Sequence, residues 1–130
     1  MTVQTASTTI VTSRLAEVRA FYAAHFDAHV FFDCGWYVAL RLSGPKGPEL
    51  CLMEPRDGMA EFTGGAVLNL RVSNADAAHE RLTRAGLEPV VPLEDHPWGD
   101  RGFGVMDPCG MQVYCYHDIE PAESFRQYFK

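Results

Sequence analysis

Apolar positions follow a two-residue period in some segments of the chain and a helical period in others. Residues 7–13 are rich in β-branched side chains, which predicts a strand. Residues 14–26 are predicted to form a helix with Ser13 as its N-cap. The apolar residues on one face of this helix are Leu15, Val18, Phe21, Tyr22 and Phe26. Turns containing Gly and Pro then separate three short predicted strands, at residues 30–33, 36–42 and 50–53.

The same order of elements restarts at residue 66. Residues 66–72 predict a strand, and residues 75–85 predict a helix that begins at Asn74 and stops at Gly86. The three strands after this helix are predicted at residues 87–91, 101–106 and 112–116. The two halves of the sequence share little identity, so the order of elements is repeated but the residues are not.

These elements predict an α+β fold in which two βαβββ modules form a curved mixed sheet. The chain, residues 1–130, is expected to be a single domain, with modules at about 7–55 and 66–118. A third helix is predicted over residues 121–129, where Phe125, Tyr128 and Phe129 recur at helical spacing.

Each predicted strand has two chemically different faces. In residues 66–72, Leu68 and Leu70 lie on one side, while Asn69 and Arg71 lie on the other. The aliphatic side is expected to meet the helices, and the mixed aromatic and polar side suits a ligand. The residues predicted to line a ligand site on this mixed side are Tyr37, Arg41, Asn69, Arg71, Phe103, Tyr114 and Tyr116.

Several of these candidates have an alternative structural role. Arg41 and Arg71 either pair with an anionic or carbonyl-rich ligand or form salt bridges with nearby acidic residues. Those acidic residues are Asp33, Glu49 and Glu54. Asn69 either orients a ligand through its amide or satisfies the hydroxyl of Tyr114.

Composition narrows the classes of partner. The 130 residues carry a net charge of −6 with scattered Lys and Arg, so nucleic acid and anionic lipid surfaces are poor partners. No apolar run has membrane-spanning length, and the first residues lack signal-peptide features, so a cytoplasmic location is expected. Free thiols are expected at the four cysteines, Cys34, Cys51, Cys109 and Cys115.

The helix with Phe21-Tyr22 and the later run at residues 97–110 (PWGDRGFGVMDPCG) resemble the vicinal oxygen chelate superfamily. Its members include glyoxalase I, extradiol dioxygenases and bleomycin resistance proteins. The resemblance spans about residues 7–117 and is greatest to the antibiotic-binding resistance branch. It implies paired modules that form an open, barrel-like sheet, usually completed within a homodimer.

Metal-dependent members of this superfamily bind a divalent ion through four side chains on the first and last strands of each module. In this sequence the matching positions hold Ser7, then Met53 or Cys51, then Val67 and Tyr114. Val67 has no donor atom, and the His and carboxylate set that such ions prefer is missing. The resemblance therefore implies no metal ion and no other cofactor.

Two residues near residue 97 are further candidates. Trp98 either stacks on a planar ligand or packs to close the sheet edge. His96, in the predicted loop at residues 94–98, is the one histidine near the expected ligand site and is a candidate general base. Its neighbour Asp95 does not establish a dyad, because adjacent residues rarely face one another.

Three hypotheses follow. The first is a metal-free homodimeric protein that binds and sequesters an aromatic natural product or antibiotic. The second is a divalent-metal-dependent lyase, isomerase or dioxygenase of the same superfamily with non-standard ligands. The third is a cofactor-free enzyme that uses His96 or a tyrosine as acid or base.

Overall fold

The computed structural model describes residues 1–130 and contains eight strands and three helices. The elements of the first half are β1 (Thr9–Val11), α1 (Leu15–Phe26), β2 (His29–Asp33), β3 (Tyr37–Arg41) and β4 (Glu49–Met53). The elements of the second half are β5 (Val67–Arg71), α2 (Ala75–Arg84), β6 (Val91–His96), β7 (Asp100–Met106), β8 (Gln112–Asp118) and α3 (Glu123–Arg126).

Both halves have the same sheet topology, which confirms the predicted α+β fold with two βαβββ modules. The strand orders are β1-β4-β3-β2 and β5-β8-β7-β6. In each sheet the first strand pairs in parallel with the last, and the other pairs are antiparallel. The chain divides into two compact units, residues 1–64 with 108–110, and residues 65–107 with 111–130.

The first unit buries the aliphatic side of its sheet with α1. Val38 and Leu40 of β3 and Leu52 of β4 are fully buried, and so are Val18 and Tyr22 of α1. These positions alternate along the strands and recur every three to four residues along the helix, as the sequence predicted. Burial of these side chains is the main source of stability for this unit.

The second unit uses the same arrangement. Val105 of β7 pairs with Val113 of β8, and Phe103 pairs with Cys115, and all four side chains are buried. Phe103 meets the ring of His79 on α2 edge-to-face, with centroids 5.1 Å apart. The predicted cap of α2 is confirmed, since Asn74 Oδ1 accepts a hydrogen bond from the Ala77 N–H at 3.1 Å.

Three local predictions were wrong. Ser13 does not cap α1, because its N–H and hydroxyl both donate to Glu61 Oε1, and Thr12 Oγ1 instead accepts from the Arg14 N–H. The predicted strand at residues 87–91 lies instead at 91–96, and the third helix is only one turn long.

No helix has the length and apolar character needed to cross a membrane.

Candidate ligand-binding site

The side of the second sheet that faces away from α2 carries the largest group of predicted site residues. Val67, Asn69 and Arg71 of β5 pair in register with Gln112, Tyr114 and Tyr116 of β8. These six residues form what we term the tyrosine face. The rings of Tyr114 and Tyr116 stack with centroids 5.8 Å apart and planes 23° apart.

Strand β7 continues the tyrosine face with small and exposed residues. Met106, which pairs with Gln112, is 44% exposed, and Val67 on the other side of Gln112 is 48% exposed. Gly104 pairs with Tyr114, and Gly102 pairs with Tyr116. The tyrosine rings therefore stand beside strand positions that have no side chains to cover them.

A hydrogen-bonded cluster lies at one end of this face and joins β6, β7 and β8. Its centre is Asp100, which is 15% exposed. Asp100 Oδ1 lies 2.8 Å from His96 Nδ1 and accepts a hydrogen bond from the Tyr114 hydroxyl at 2.7 Å. Asp100 Oδ2 accepts a hydrogen bond from the indole N–H of Trp98 at 2.9 Å. We term these four residues the Asp100 cluster.

The cluster changes the ionisation of two of its members. Burial alone would raise the pKa of Asp100, but the hydrogen bonds from Tyr114, His96 and Trp98 together lower it below its ordinary value. Burial raises the pKa of Tyr114, and the hydrogen bond to Asp100 raises it further. Asp100 is therefore a carboxylate, and Tyr114 keeps its proton, at neutral pH.

The Trp98 indole already packs against other side chains of this unit, so it is not a free platform on which a ligand could stack. One face of its indole is covered by the His96 ring, at a centroid distance of 4.5 Å and an interplanar angle of 3°. Phe125 approaches at 6.3 Å with a 60° angle, and the indole N–H is bonded to Asp100. Trp98 is still 48% exposed, but much of its surface already packs against its own chain.

Other predicted residues of this unit have defined partners. Arg71 forms an ion pair with Asp118 at 3.3 Å, and its guanidinium lies 5.8 Å from the Tyr116 ring centroid. Asn69 is exposed beside Tyr114 in the strand register. Phe103 is fully buried on the α2 side of the sheet, opposite the tyrosine face, and not on the mixed side where the sequence placed it.

The remaining two predicted residues, Tyr37 and Arg41, belong to the first unit. The Tyr37 hydroxyl lies 3.1 Å from Thr9 Oγ1, and hydrogen bonding to Cys51 raises its pKa. Arg41 forms an ion pair with Glu49 at 3.0 Å and lies 4.3 Å from the Phe31 ring centroid. Arg41 thus has the salt-bridge partner that the sequence suggested as an alternative to a ligand.

Asp100 is the site residue that the sequence analysis missed. Asp95, the acidic neighbour of His96 in the sequence, accepts a hydrogen bond from Arg101 at 3.0 Å instead. His96 and Asp100 face each other because they end β6 and begin β7, across the turn at residues 97–99. A hairpin predicted at this turn would have shown the pairing, since directly opposite residues of antiparallel strands lie on the same face.

The positions that match the metal ligands of the superfamily do not suit a metal ion. Val67 has no atom that can ligate a metal, and the Tyr114 hydroxyl is protonated and donates a hydrogen bond to Asp100. No group of three or more His, Cys, Asp or Glu side chains is arranged to share a metal ion. The residues present therefore do not fit the metal centre of the metal-dependent members.

A separate surface depression lies on α2. Four residues of this helix line it, namely Ala77, Glu80, Arg81 and Arg84. It contains no aromatic side chain, and two of its charged residues already pair with each other, at 2.7 Å between Arg84 and Glu80. The tyrosine face and the Asp100 cluster offer the more varied chemistry for ligand binding.

Two βαβββ modules with identical strand order define a class of α+β proteins built from paired modules. The family model described as the Glyoxalase/Bleomycin resistance protein/Dioxygenase superfamily matches residues 4–114. The chain belongs to this superfamily, which confirms the resemblance found in the sequence. No curated protein sequence matches the chain significantly.

Solved structures share the fold at low sequence identity. A superfamily member from Sphaerobacter thermophilus DSM 20745 has a TM-score of 0.72 and 24% identity, covering 90% of this chain and 98% of that one. TnmS3, an antibiotic binding protein from Streptomyces sp. CB03234, has a TM-score of 0.74 and 20% identity, covering 91% and 98%. A lactoylglutathione lyase from Agrobacterium tumefaciens has a TM-score of 0.70 and 17% identity, covering 85% and 90%.

Proposed function

We propose that this chain is a metal-free binding protein that sequesters an aromatic natural product, such as an antibiotic, on the tyrosine face. The observation that carries the proposal is the stacked pair of Tyr114 and Tyr116 on a sheet face. Exposed apolar side chains, Val67 and Met106, lie on the same face. Planar aromatic ligands gain affinity from such surfaces through apolar burial and ring stacking.

The Asp100 cluster supports binding by holding the tyrosine face rigid. Both carboxylate oxygens of Asp100 accept hydrogen bonds, and one of these fixes the Tyr114 ring. A ring held in place before the ligand arrives loses less conformational entropy on binding. The Asp100 carboxylate thus positions the Tyr114 ring of the tyrosine face.

The likeness to TnmS3 supports the same proposal, since that protein is described as antibiotic binding. The likeness to a lactoylglutathione lyase is of similar extent, so the shared fold accommodates both binding and catalysis. The choice between them therefore depends on the residues of this chain.

Metal independence is part of the proposal. It is supported by Val67, which has no donor atom, and by the Tyr114 hydroxyl, whose proton is engaged by Asp100. Elemental analysis of protein purified without chelator is the direct test. A stoichiometric divalent ion that survives mild chelation would favour the alternative, a metal-dependent lyase, isomerase or dioxygenase.

The binding function is tested by a thermal-shift screen of planar aromatic antibiotics, followed by Kd measurement for those that stabilise the protein. Tyr116→Ala is expected to weaken binding about fivefold or more, because one aromatic contact is worth about 1 kcal/mol. Tyr128→Ala is the matched control, since Tyr128 is an exposed tyrosine that contacts Phe125. A screen with no stabilising compound, or equal losses in both variants, would contradict the proposal.

The homodimer and the cytoplasmic location that the sequence analysis expected are retained as part of this proposal. The superfamily resemblance supports the homodimer. Sedimentation velocity over a range of protein concentrations measures the assembly state. A monomer at all concentrations would remove the homodimer from the proposal without affecting ligand binding to the tyrosine face.

A further inference from the structure

The imidazole of His96 uses only one of its two nitrogens inside the protein. Both of its hydrogen-bond contacts, to Asp100 Oδ1 at 2.8 Å and to the Tyr114 hydroxyl at 3.0 Å, involve Nδ1. His96 Nε2 has no hydrogen-bond partner in the protein. It is not a fully buried atom, because the one buried side-chain nitrogen or oxygen without a partner is His25 Nδ1. His96 Nε2 therefore retains contact with solvent, although the side chain is only 13% exposed.

The surroundings of Nδ1 determine where the proton of the neutral ring lies. An ionised carboxylate only accepts hydrogen bonds, so each neighbour of Asp100 must donate to it. The Tyr114 hydroxyl has one proton and uses it in a hydrogen bond to Asp100 at 2.7 Å, the shorter of its two contacts. The short contact between His96 and Asp100 then requires the imidazole proton on Nδ1. Neutral His96 is left with Nε2 as a hydrogen-bond acceptor.

We propose that His96 is a specificity-determining residue that presents Nε2 as a fixed hydrogen-bond acceptor and so selects aromatic ligands with a hydroxyl donor. The proposal rests on the proposed binding function, because it concerns the same ligand site. The Tyr114 hydroxyl contacts both Asp100 and His96. His96 pairs with Asp100, which lies on the same side of β7 as the partners of Tyr114 and Tyr116, so a ligand held on the tyrosine face lies next to this acceptor. Asp100 acts as a positioning residue, because it acts through the orientation of His96.

Trp98 makes this arrangement testable through Asp100→Asn. The indole N–H of Trp98 can only donate, and it lies 2.9 Å from Asp100 Oδ2. The oxygen of an asparagine amide is therefore expected to face Trp98, which turns the amide NH₂ toward His96. The ring nitrogen Nδ1 then accepts, and the proton moves to Nε2. In this variant His96 presents a donor instead of an acceptor.

The first experiment measures the tautomer of neutral His96 in the unliganded protein by ¹⁵N NMR at alkaline pH. The expected result is a protonated Nδ1 in the wild type and a protonated Nε2 in Asp100→Asn. The matched control is Asp95→Asn, which changes an acidic neighbour of His96 that pairs with Arg101. Asp95→Asn is expected to keep the wild-type tautomer. A wild-type ring protonated at Nε2 would overturn the proposal.

The second experiment measures binding of 6-hydroxy-2-naphthoate and 6-methoxy-2-naphthoate, which differ only in the donor. The wild type is expected to prefer the hydroxy compound by about three- to tenfold, the usual effect of one neutral hydrogen bond. The preference is expected to disappear in His96→Phe, which has no acceptor. It is also expected to disappear in Asp100→Asn, because a protonated Nε2 can donate to a hydroxyl oxygen and to a methoxy oxygen alike. Equal wild-type affinities for the two compounds would overturn the proposal.

The two experiments separate failure of this inference from failure of the proposed function. If neither naphthoate binds while the proton lies on Nδ1, the sequestration function is contradicted and the ligand role of His96 falls with it. If both bind equally, and Tyr116→Ala weakens both, the binding function stands and the selective role of His96 is refuted. Loss of the preference in Asp100→Asn, while the methoxy compound keeps its affinity, is an outcome that general destabilisation of the site does not produce.

Discussion

Gly102 lies directly under the end of the Tyr114 side chain. A Cβ atom at residue 102 would come within 2.7 Å of both Tyr114 Cζ and Oη, and within 2.8 Å of the Cys115 carbonyl oxygen. The absence of a side chain at this position of β7 lets Tyr114 cross the strand and reach Asp100. The tyrosine face and the Asp100 cluster therefore depend on one glycine.

Gly102→Ala is expected to destabilise the protein by about 1–3 kcal/mol, the usual cost of overpacking a site that cannot relax. The Tyr114 ring has to move, and the Cys115 carbonyl is backbone, so the clash is not relieved by a rotamer change. Chemical denaturation measures the loss. The control is Gly104→Ala, where the nearest contacts are 3.2–3.3 Å to the side chains of Val91 and Gln112. A smaller loss in Gly102→Ala than in Gly104→Ala would contradict this account.

Asp100→Asn is expected to lower stability at neutral pH by about 1.5–3 kcal/mol, because hydrogen bonds to a buried carboxylate are lost or weakened. The folded-state pKa of Asp100 is lowered below its unfolded value. Its contribution is therefore fully present above the unfolded pKa of about 3.9 and is lost as pH falls through the folded pKa. Urea unfolding of both proteins across the acid range measures this. A stability difference that does not shrink in acid would contradict the assignment.

The sequence was sufficient where local rules decide the structure. Alternation of Leu68 and Leu70 with Asn69 and Arg71 predicted the two faces of β5, and Asn74 was correctly predicted to cap α2. The alternation of faces along a strand and the capping of a helix depend on near neighbours, so these features can be read from a short stretch of residues.

The predictions failed where distant residues or strand edges decide the structure. Ser13 bonds to Glu61, a partner 48 residues away, and so does not cap α1. Strand β6 is an edge strand with Pro92 and two acidic residues, Glu94 and Asp95, a composition that edge strands tolerate but that is also typical of loops. Misplacing β6 concealed the hairpin that brings His96 to Asp100. The contact of Tyr114 with Gly102 depends on a different long-range pairing, that of β7 with β8.

Tyr114 is expected to ionise only at pH values above those of an ordinary tyrosine. Its folded-state pKa is raised, first by burial and then by the hydrogen bond to Asp100. Its contribution to stability is therefore present below the unfolded pKa of about 10 and is lost as pH rises through the folded pKa. Near-ultraviolet absorbance titration of the wild type and Tyr114→Phe gives the difference curve for this one phenol.

The midpoint of that difference curve is expected at a higher pH in the native protein than in concentrated urea, where the phenol titrates normally. Coincident curves in native and denatured protein would show that Tyr114 is not held by Asp100. Tyr114→Phe is also expected to reduce stability by about 1 kcal/mol, the typical value of one hydrogen bond.

None of the four cysteines forms a disulfide, and the structure predicts very different reactivities for Cys34 and Cys115. Cys34 is exposed, whereas Cys115 is 1% exposed and burial raises its pKa to about 11. Because the thiolate is the reactive form, Cys115 is expected to be inert to a disulfide reagent at about pH 8 while Cys34 reacts rapidly. Cys34→Ser should remove the fast phase, and Cys115→Ser should lower only the thiol count of the denatured protein. Rapid modification of Cys115 in the folded state would show that the second sheet opens readily on its α2 side.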